Sequence, residues 1–204
     1  MPILTILCAA IAVAASTVPQ WSGWFTYDRG AILAGETWRF LTGHVTHWNV
    51  DHLVWDVAIF GILGAMVERH DRPTLLGLIL LSAAAISAAT WLFHPQVEQY
   101  RGLSGLDSAL FGFAVPMVFV AARSRRESGV MLFVAALAAG FVAKVGWEFA
   151  TGKTLFVDSS AAGFVPLPLV HAVGALVGFA LWASRRTRGS IPLSIDDGEL
   201  FHDR

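Results

Sequence analysis

The chain has 204 residues, of which 55% are hydrophobic and 14% are charged, and its formal net charge is −1. A soluble domain of this size carries about 25% charged residues, so the composition excludes an ordinary soluble globular protein. The near-neutral charge gives no indication of a nucleic-acid partner, so we expect none. The single cysteine, Cys8, has no second cysteine with which to form a disulfide within the chain.

Apolar runs predict six membrane-spanning helices, at residues 3–18, 52–68, 74–93, 104–122, 129–149 and 168–184. The first run resembles a signal-peptide core, but it lacks a basic n-region, so we expect a retained first helix. The predicted fold class is an all-α polytopic membrane protein, with a six-helix membrane domain over residues 1–188. Residues 189–204 are polar and are predicted to form a short tail.

A long segment, residues 19–51, separates the first two predicted helices and is too polar to cross a bilayer. It contains four tryptophans, Trp21, Trp24, Trp38 and Trp48. Tryptophan is enriched at the headgroup region, so we predict a first loop that is associated with the outer membrane surface. For Trp21 and Trp24, an ordinary loop outside the membrane fits the sequence equally well.

Basic residues follow the second, fourth and sixth predicted helices. They are Arg69 and Arg72, then Arg123, Arg125 and Arg126, then Arg185, Arg186 and Arg188. By the positive-inside rule these helix ends are cytoplasmic, which also places both termini and the tail in the cytoplasm. The second, fourth and sixth helices therefore enter the membrane from the outside.

Three polar residues lie near the outer starts of these helices: His52, Ser104 and His171. They are expected at similar depth in the outer part of the bilayer. Polar side chains at that depth are costly against lipid, so we expect them to face a shared, water-accessible interior.

The tetrapeptide Gly102–Gly105 opens the fourth helix and carries Ser104. A serine there is a candidate nucleophile if a neighbouring base removes its proton. The free backbone N–H groups and positive dipole of a helix N-terminus suit an oxyanion. The same tetrapeptide also fits a helix N-cap serine between packing glycines.

Small residues extend below two of these positions. Ser108 and Gly112 follow Ser104 at i+4 and i+8, and Gly174 and Gly178 follow His171 at i+3 and i+7. Small faces let membrane helices approach closely. If the two faces pack together, Ser104 meets His171, which then serves as a general base; the alternative is a histidine bonded to a backbone carbonyl.

Four segments in this order resemble the rhomboid family of intramembrane serine proteases. They are Glu36–Arg39 with Thr42, His47 and His52; Gly64–Arg69; Gly102–Gly105 with Ala109, Leu110 and Gly112; and His171–Gly174 with Gly178. The resemblance implies Ser104 as nucleophile and His171 as base. It also implies His52 and the Ser104 backbone N–H as oxyanion donors, supported by Gly102 and Gly105.

The resemblance further implies a multi-pass protein of the cell membrane, a bacterial inner membrane. Its active site opens to the extracytoplasmic side and cleaves transmembrane protein substrates there, with no metal or cofactor. The compact six-helix form looks like the rhombosortases, which process proteins bearing a C-terminal Gly-Gly sorting helix. The sequence indicates no oligomeric state.

Two positions depart from the family pattern. Asp56 stands where the family usually has an asparagine beside the oxyanion, and an ionised carboxylate cannot donate a hydrogen bond. Asp56 is either protonated, or paired with His52 one turn earlier, or directed elsewhere; we favour the pairing, which keeps His52 cationic. Ser108 replaces a common aromatic residue, and Asp107 beside it either steadies His171, answers Arg101, contacts substrate or lies at the surface.

Two other classes of function remain open at this point. His44, His47, His52 and Asp56 are possible metal ligands of a metal-dependent membrane protein, although no His-Glu-x-x-His helix is present. A catalytically inactive rhomboid-like protein that binds membrane helices is the other. Lys144 and Glu148, at i and i+4, predict a structural ion pair in the fifth helix.

Overall fold

The computed structural model describes residues 1–155 and 166–187. Its helices are α1 (Ile3–Thr17), α2 (Pro19–Phe25), α3 (Arg29–Leu33), α4 (Arg39–Thr42), α5 (Val50–His70), α6 (Arg72–Phe93), α7 (Ser104–Ser124), α8 (Ser128–Thr151) and α9 (Pro168–Thr187). Two short strands, β1 (Tyr27–Asp28) and β2 (Gln99–Tyr100), form an antiparallel pair. The all-α polytopic fold is confirmed, and the predicted tail, residues 189–204, lies outside the described residues.

Five helices within the described residues, α5 to α9, are long and apolar enough to cross a membrane. The predicted bounds of these five hold to within three residues. The first predicted span differs. Helix α1 has 15 residues, which at about 1.5 Å each give some 22 Å, short of a hydrocarbon core of about 30 Å. The chain then bends by 108° into α2, so the sixth candidate span is a broken one.

Glu68, near the end of α5, fixes the start of α1. Its carboxylate accepts hydrogen bonds from the backbone N–H groups of Leu4 (2.9 Å) and Thr5 (2.8 Å) and from the Thr5 hydroxyl (2.8 Å). The first turn of a helix has N–H groups without partners inside the helix, and a carboxylate there satisfies them and favours the dipole. Arg72 donates from Nε to Oε1 of Glu68, the oxygen that also accepts from Leu4, at 3.0 Å. The short α1 is therefore held by α5 at this end.

The first loop is a folded element. β1 pairs with β2, so that Tyr27 lies opposite Tyr100 and the loop is tied to the segment that leads into α7. Arg39 is buried and donates to the carbonyls of Gly23 and Thr26, each at 2.8 Å. Trp21, Trp24 and Trp38 are 43–65% exposed; their placement at the headgroups remains a prediction.

Helix α7 is the centre of the bundle and α8 lies at its edge. Half of the apolar stretch of α7 is buried inside the protein, compared with 6% of that of α8. Among the described residues α8 buries only two side chains, Val134 and Glu148. A carboxylate is costly at membrane depth, so its burial in a helix that otherwise faces outward indicates a polar partner.

Glycines bring α7 and α9 into backbone contact. A Cβ atom at Gly174 would overlap the carbonyl oxygen of Gly105, one at Gly178 that of Ala109, and one at Gly112 that of Ala175. The close approach of the two small faces is confirmed for Gly112, Gly174 and Gly178.

Ser108 departs from the predicted stripe. Its hydroxyl donates to the Ser104 carbonyl at 2.8 Å, and its side chain faces a cavity instead of α9. Gly105 and Ala109 take its place in the contact, because the α7 face in contact is rotated by one residue from the predicted one.

Candidate active site

A cavity of about 1110 Å³ opens between α5, α7, α8 and α9. Its polar lining includes His52, Asp56, Ser104, Asp107, Ser108, Lys144, Glu148 and His171. The structure therefore brings the predicted nucleophile, base and oxyanion residues to one space, which apolar side chains of four helices surround.

Ser104 is the first residue of α7 and is not its N-cap. The N-cap position is Leu103, and no side chain caps the helix there. Tyr100 holds the turn before Ser104 by donating its hydroxyl hydrogen to the Gly102 carbonyl (3.1 Å). The His47 ring packs on the same turn, with Nε2 at 3.4 Å from the Leu103 nitrogen. The N-cap interpretation of Ser104 is thus wrong, and its hydroxyl lies at a helix N-terminus beside the cavity.

Gly102 is required by the neighbouring histidine. Its φ angle of +128° is one that side chains rarely adopt. A Cβ there would lie 2.8 Å from Nε2 of His52 and 3.3 Å from Oδ2 of Asp56. The His52 ring therefore packs directly on the backbone two residues before Ser104.

Asp56 lies between two histidines. Its Oδ2 atom is 3.3 Å from Nε2 of His52 and 3.2 Å from Nε2 of His47. The structure thus has the pairing geometry with His52, and adds His47 as a second partner. Nδ1 of His47 lies 3.0 Å from the Ser16 hydroxyl, which fixes its ring from the other side. Burial lowers the pKa of His47, and Asp56 opposes that shift.

His44 does not join this group. Its Nε2 lies 3.2 Å from the Ala83 carbonyl and 3.1 Å from the Ser87 hydroxyl, both on α6. Burial lowers the pKa of His44 to about 4, so the ring is neutral. Within the described residues no three His, Cys, Asp or Glu side chains are arranged to hold a metal ion. Of the four residues considered as metal ligands, His44 therefore lies apart from His47, His52 and Asp56, because it belongs to the packing of the first loop on α6.

Gly105 brings the start of α7 against the part of α9 that carries His171. A Cβ at Gly105 would lie 3.5 Å from the carbonyl of Val170, and the Gly105 carbonyl contacts Gly174. Gly105, the residue after Ser104, thus packs between Val170 and Gly174 of α9. Both side chains line the same cavity at this level.

Glu148 is the site residue that sequence reasoning missed. The predicted Lys144–Glu148 ion pair is confirmed, at 2.8 Å between Nζ and Oε1. The second carboxylate oxygen, Oε2, lies 2.8 Å from Nδ1 of His171, and Nζ of Lys144 is 3.2 Å from the same nitrogen. The available signal was a carboxylate and an ammonium inside a membrane helix, which are rarely without function.

Asp107 is 6% exposed and lines the cavity, and neither of its carboxyl oxygens has a hydrogen-bond partner in the described part of the chain. It therefore neither steadies His171 nor answers Arg101, and its burial removes the surface alternative. Arg101 has partners of its own: its guanidinium lies over the Trp48 ring at 4.7 Å and bonds the Ser22 hydroxyl at 3.3 Å. Contact with substrate is the role left from those considered.

Replacing Asp107 with leucine is expected to raise the free energy of unfolding by about 1–3 kcal/mol, since it removes a buried polar group without a partner. Thermal unfolding in detergent, followed by intrinsic fluorescence, measures this. Asp51→Leu, at an exposed position in the first turn of α5, is the matched control and should be neutral. A loss of stability in Asp107→Leu would show that the carboxyl has a stabilising partner.

A family model described as "Rhomboid domain" matches residues 34–186. The chain belongs to the rhomboid family. The match begins within the first loop and includes α5 to α8 and nearly all of α9, and thus His52, Asp56, Ser104, Asp107, Glu148 and His171. With five or six candidate spans among the described residues, this rhomboid is a multi-pass membrane protein.

Curated relatives of this rhomboid are proteases by name. It is 25% identical over 190 residues to "Rhomboid protease GlpG" of Salmonella paratyphi A (strain ATCC 9150 / SARB42), covering 88% of this chain and 60% of that protein. It is 30% identical over 100 residues to "Rhomboid protease GluP" of Bacillus subtilis (strain 168), covering 48% of this chain and 19% of that protein. The rhomboid described here thus spans less than two thirds of these relatives.

Proposed function

We propose that this rhomboid is an intramembrane serine endopeptidase in which Ser104 is the nucleophile and His171 the general base. The observation that supports this most directly is the backbone contact of α7 and α9 at Gly105, which brings both side chains to one cavity. The names of the curated relatives point the same way.

The chemistry follows from these positions. The Ser104 hydroxyl attacks the scissile carbonyl while His171 takes its proton, forming a C–O bond and a tetrahedral oxyanion. His171 then returns the proton to the leaving amine as the C–N bond breaks, and water hydrolyses the acyl-enzyme by the reverse roles. The N–H groups in the first turn of α7 have no partner within the helix and serve the oxyanion.

His52 is proposed as the second oxyanion donor. Its ring packs on Gly102 at the entry to α7, close to where the oxyanion forms. An ionised Asp56 would repel an oxyanion. Its Oδ2 atom, however, contacts the rings of His52 and His47, so that two imidazoles lie against the negative charge. A cationic His52 is a stronger donor than a neutral one, because hydrogen bonds from charged groups are about twice as strong.

Asp56→Asn is expected to lower kcat/KM at neutral pH by about tenfold and to move the alkaline limb of the pH–rate profile to lower pH. A carboxylate stabilises a cationic imidazole that it contacts, and an amide does not. Initial rates of cleavage from pH 5 to 9 measure this, with Asp51→Asn as the control. Retained cleavage with an unchanged profile would contradict the pairing role.

The proposal extends to orientation and substrate. Ser104 and Pro168 begin α7 and α9 at the cavity end, while Arg123 and Arg185 lie at the opposite ends of the same helices. By the positive-inside rule we propose that both termini lie in the cytoplasm and that the cavity opens toward the extracytoplasmic side. The bacterial relatives support a bacterial inner membrane. We propose transmembrane protein substrates cut near that side, and the compact bundle supports a rhombosortase-like preference for C-terminal Gly-Gly sorting helices.

Cleavage in proteoliposomes tests the function. Wild type, Ser104→Ala and the cavity-lining control Ser108→Ala are reconstituted with two substrates. One substrate carries a Gly-Gly motif, an apolar helix and basic residues, and the other a transmembrane helix without the motif. We expect products cut near the extracytoplasmic end with wild type and Ser108→Ala, and none with Ser104→Ala.

Each other outcome contradicts a named part of the proposal. Cleavage by Ser104→Ala at the wild-type rate would overturn the serine mechanism. Substrate that co-purifies uncut with wild type would indicate the inactive, helix-binding alternative. Cleavage of both substrates at equal rates would overturn the Gly-Gly preference alone.

A further inference from the structure

We propose that Glu148 is a positioning residue that holds His171 in its reactive tautomer, so that the site works as a Ser104–His171–Glu148 triad with Lys144 as a counter-ion. This inference rests on the proposed function. It is carried by the 2.8 Å contact between Oε2 of Glu148 and Nδ1 of His171, at a carboxylate that is 1% exposed.

The hydrogen-bonding groups of Glu148 and His171 determine which tautomer His171 adopts. An ionised carboxylate only accepts, and a neutral imidazole has one N–H and one bare nitrogen. At 2.8 Å a proton must lie between Oε2 and Nδ1, so Nδ1 carries the hydrogen. Nε2 is then the bare nitrogen, which is the form that accepts the proton of Ser104.

Lys144 offers a competing arrangement that the distances disfavour. Its Nζ lies 3.2 Å from Nδ1 of His171, and a hydrogen bond there would place the ring proton on Nε2. Nδ1 and Oε2 would then be two acceptors facing each other at 2.8 Å with no proton between them. The shorter contacts of Nζ with Oε1 and of Nδ1 with Oε2, both 2.8 Å, fit together only if Glu148 accepts from both.

The positive charge of Lys144 determines how Glu148 acts on His171. Lys144 neutralises Glu148, so the pair stabilises a cationic His171 less than a lone carboxylate would. Its main effect is therefore on tautomer and ring orientation. The other charged or titratable side chains that line this cavity are Asp107 on α7, His52 and Asp56 on α5, and Glu98, Tyr100 and Arg101 in the segment before α7.

Glu148 also ties α8 to the bundle. Among the described residues it is one of two buried side chains of a 24-residue helix, so its loss is expected to loosen α8. A test must therefore separate loosening of the helix from misplacement of the proton. Glu148→Gln keeps the size and one acceptor oxygen but adds an NH₂ donor that can bond a bare Nδ1. Glu148→Asp keeps the carboxylate on a shorter stem.

The test combines kinetics with a direct view of the ring. Long-range ¹H–¹⁵N spectra of ¹⁵N-histidine-labelled protein in detergent distinguish the two neutral tautomers, with the His171 signals assigned by their loss in His171→Gln. We expect the Nδ1–H form in wild type and a substantial Nε2–H fraction in Glu148→Gln.

In the kinetic test, we expect kcat to fall about 100-fold in Glu148→Gln, with KM within twofold of wild type. This loss is smaller than the loss expected on removing a catalytic carboxylate that has no neighbouring counter-ion. Glu148→Asp should recover part of kcat, and Glu127→Gln, outside the cavity, should match wild type.

Three results would overturn the inference. The first is the Nε2–H tautomer in wild type, and the second is a wild-type kcat in Glu148→Gln. A fall of kcat in proportion to the loss of folded protein, with the tautomer unchanged, would assign Glu148 to docking of α8 and also overturn it. Because the spectra need no substrate, they test Glu148 even if Ser104-independent cleavage were to overturn the proposed protease.

Discussion

Replacing His171 with alanine is expected to lower kcat/KM for a transmembrane substrate by about 10⁴-fold or more. A serine hydroxyl is a weak nucleophile without a base, and His171, which lines the same cavity as Ser104, is the base that we propose. Residual activity should come from the oxyanion donors and from substrate binding.

The nucleophile and base act as a unit, so their substitutions should not add. The double variant Ser104→Ala/His171→Ala is expected to cleave no more slowly than Ser104→Ala alone. Cleavage rates in proteoliposomes measure this, and His94→Ala, at the end of α6, is the control with wild-type activity. A His171→Ala variant within tenfold of wild type would show that another group accepts the proton.

The second large effect is expected at Gly178, where α9 meets the α7 backbone. A Cβ there would overlap the Ala109 carbonyl oxygen and lie 3.0 Å from the Phe113 nitrogen. Backbone atoms cannot move aside as a flexible side chain can. Gly178→Ala should therefore force the helices apart and lower the free energy of unfolding by about 3 kcal/mol.

The activity of Gly178→Ala should fall together with its stability, because the packing of α9 on α7 also sets the distance between Ser104 and His171. Gly146→Ala in α8 is the matched control, since nothing lies within 4 Å of the added methyl group. There the change should be neutral or stabilising by about 0.5–1 kcal/mol, as for glycine in a helix. Unfolding in mixed micelles measures both variants, and equal stability of the two would contradict the close packing of α7 and α9.

Much of the fold could be predicted because hydropathy and length determine α5 to α9 almost alone. The first span could not be. Residues 3–25 are as a whole apolar enough to cross a membrane. The chain nevertheless bends between Thr17 and Pro19, and Pro19 is the first residue of a second, short helix. The partner that holds α1, Glu68, is a tertiary contact far along the chain. Local sequence carries no sign of such a partner.

The site shows the same division between local and tertiary information. The depth of His52, Ser104 and His171 follows from topology, and the spacing of Asp56 from His52 places them on one helix face. Two contacts depend instead on the relative orientation of packed helices. They are the contact of His44 with α6 and the contact of Glu148 in α8 with His171. Sequence spacing within a helix predicted the Lys144–Glu148 pair, but not its third member.

The most direct test of the central claim is covalent labelling by a fluorophosphonate probe, which reacts with an activated serine and with no ordinary one. Wild-type protein in detergent is labelled, and the modified residue is identified by mass spectrometry. We predict a single adduct on Ser104 that is absent in Ser104→Ala and forms far more slowly in His171→Ala. Labelling of Ser104→Ala at the wild-type rate, or no Ser104 adduct in wild type between pH 5 and 9, would contradict the account.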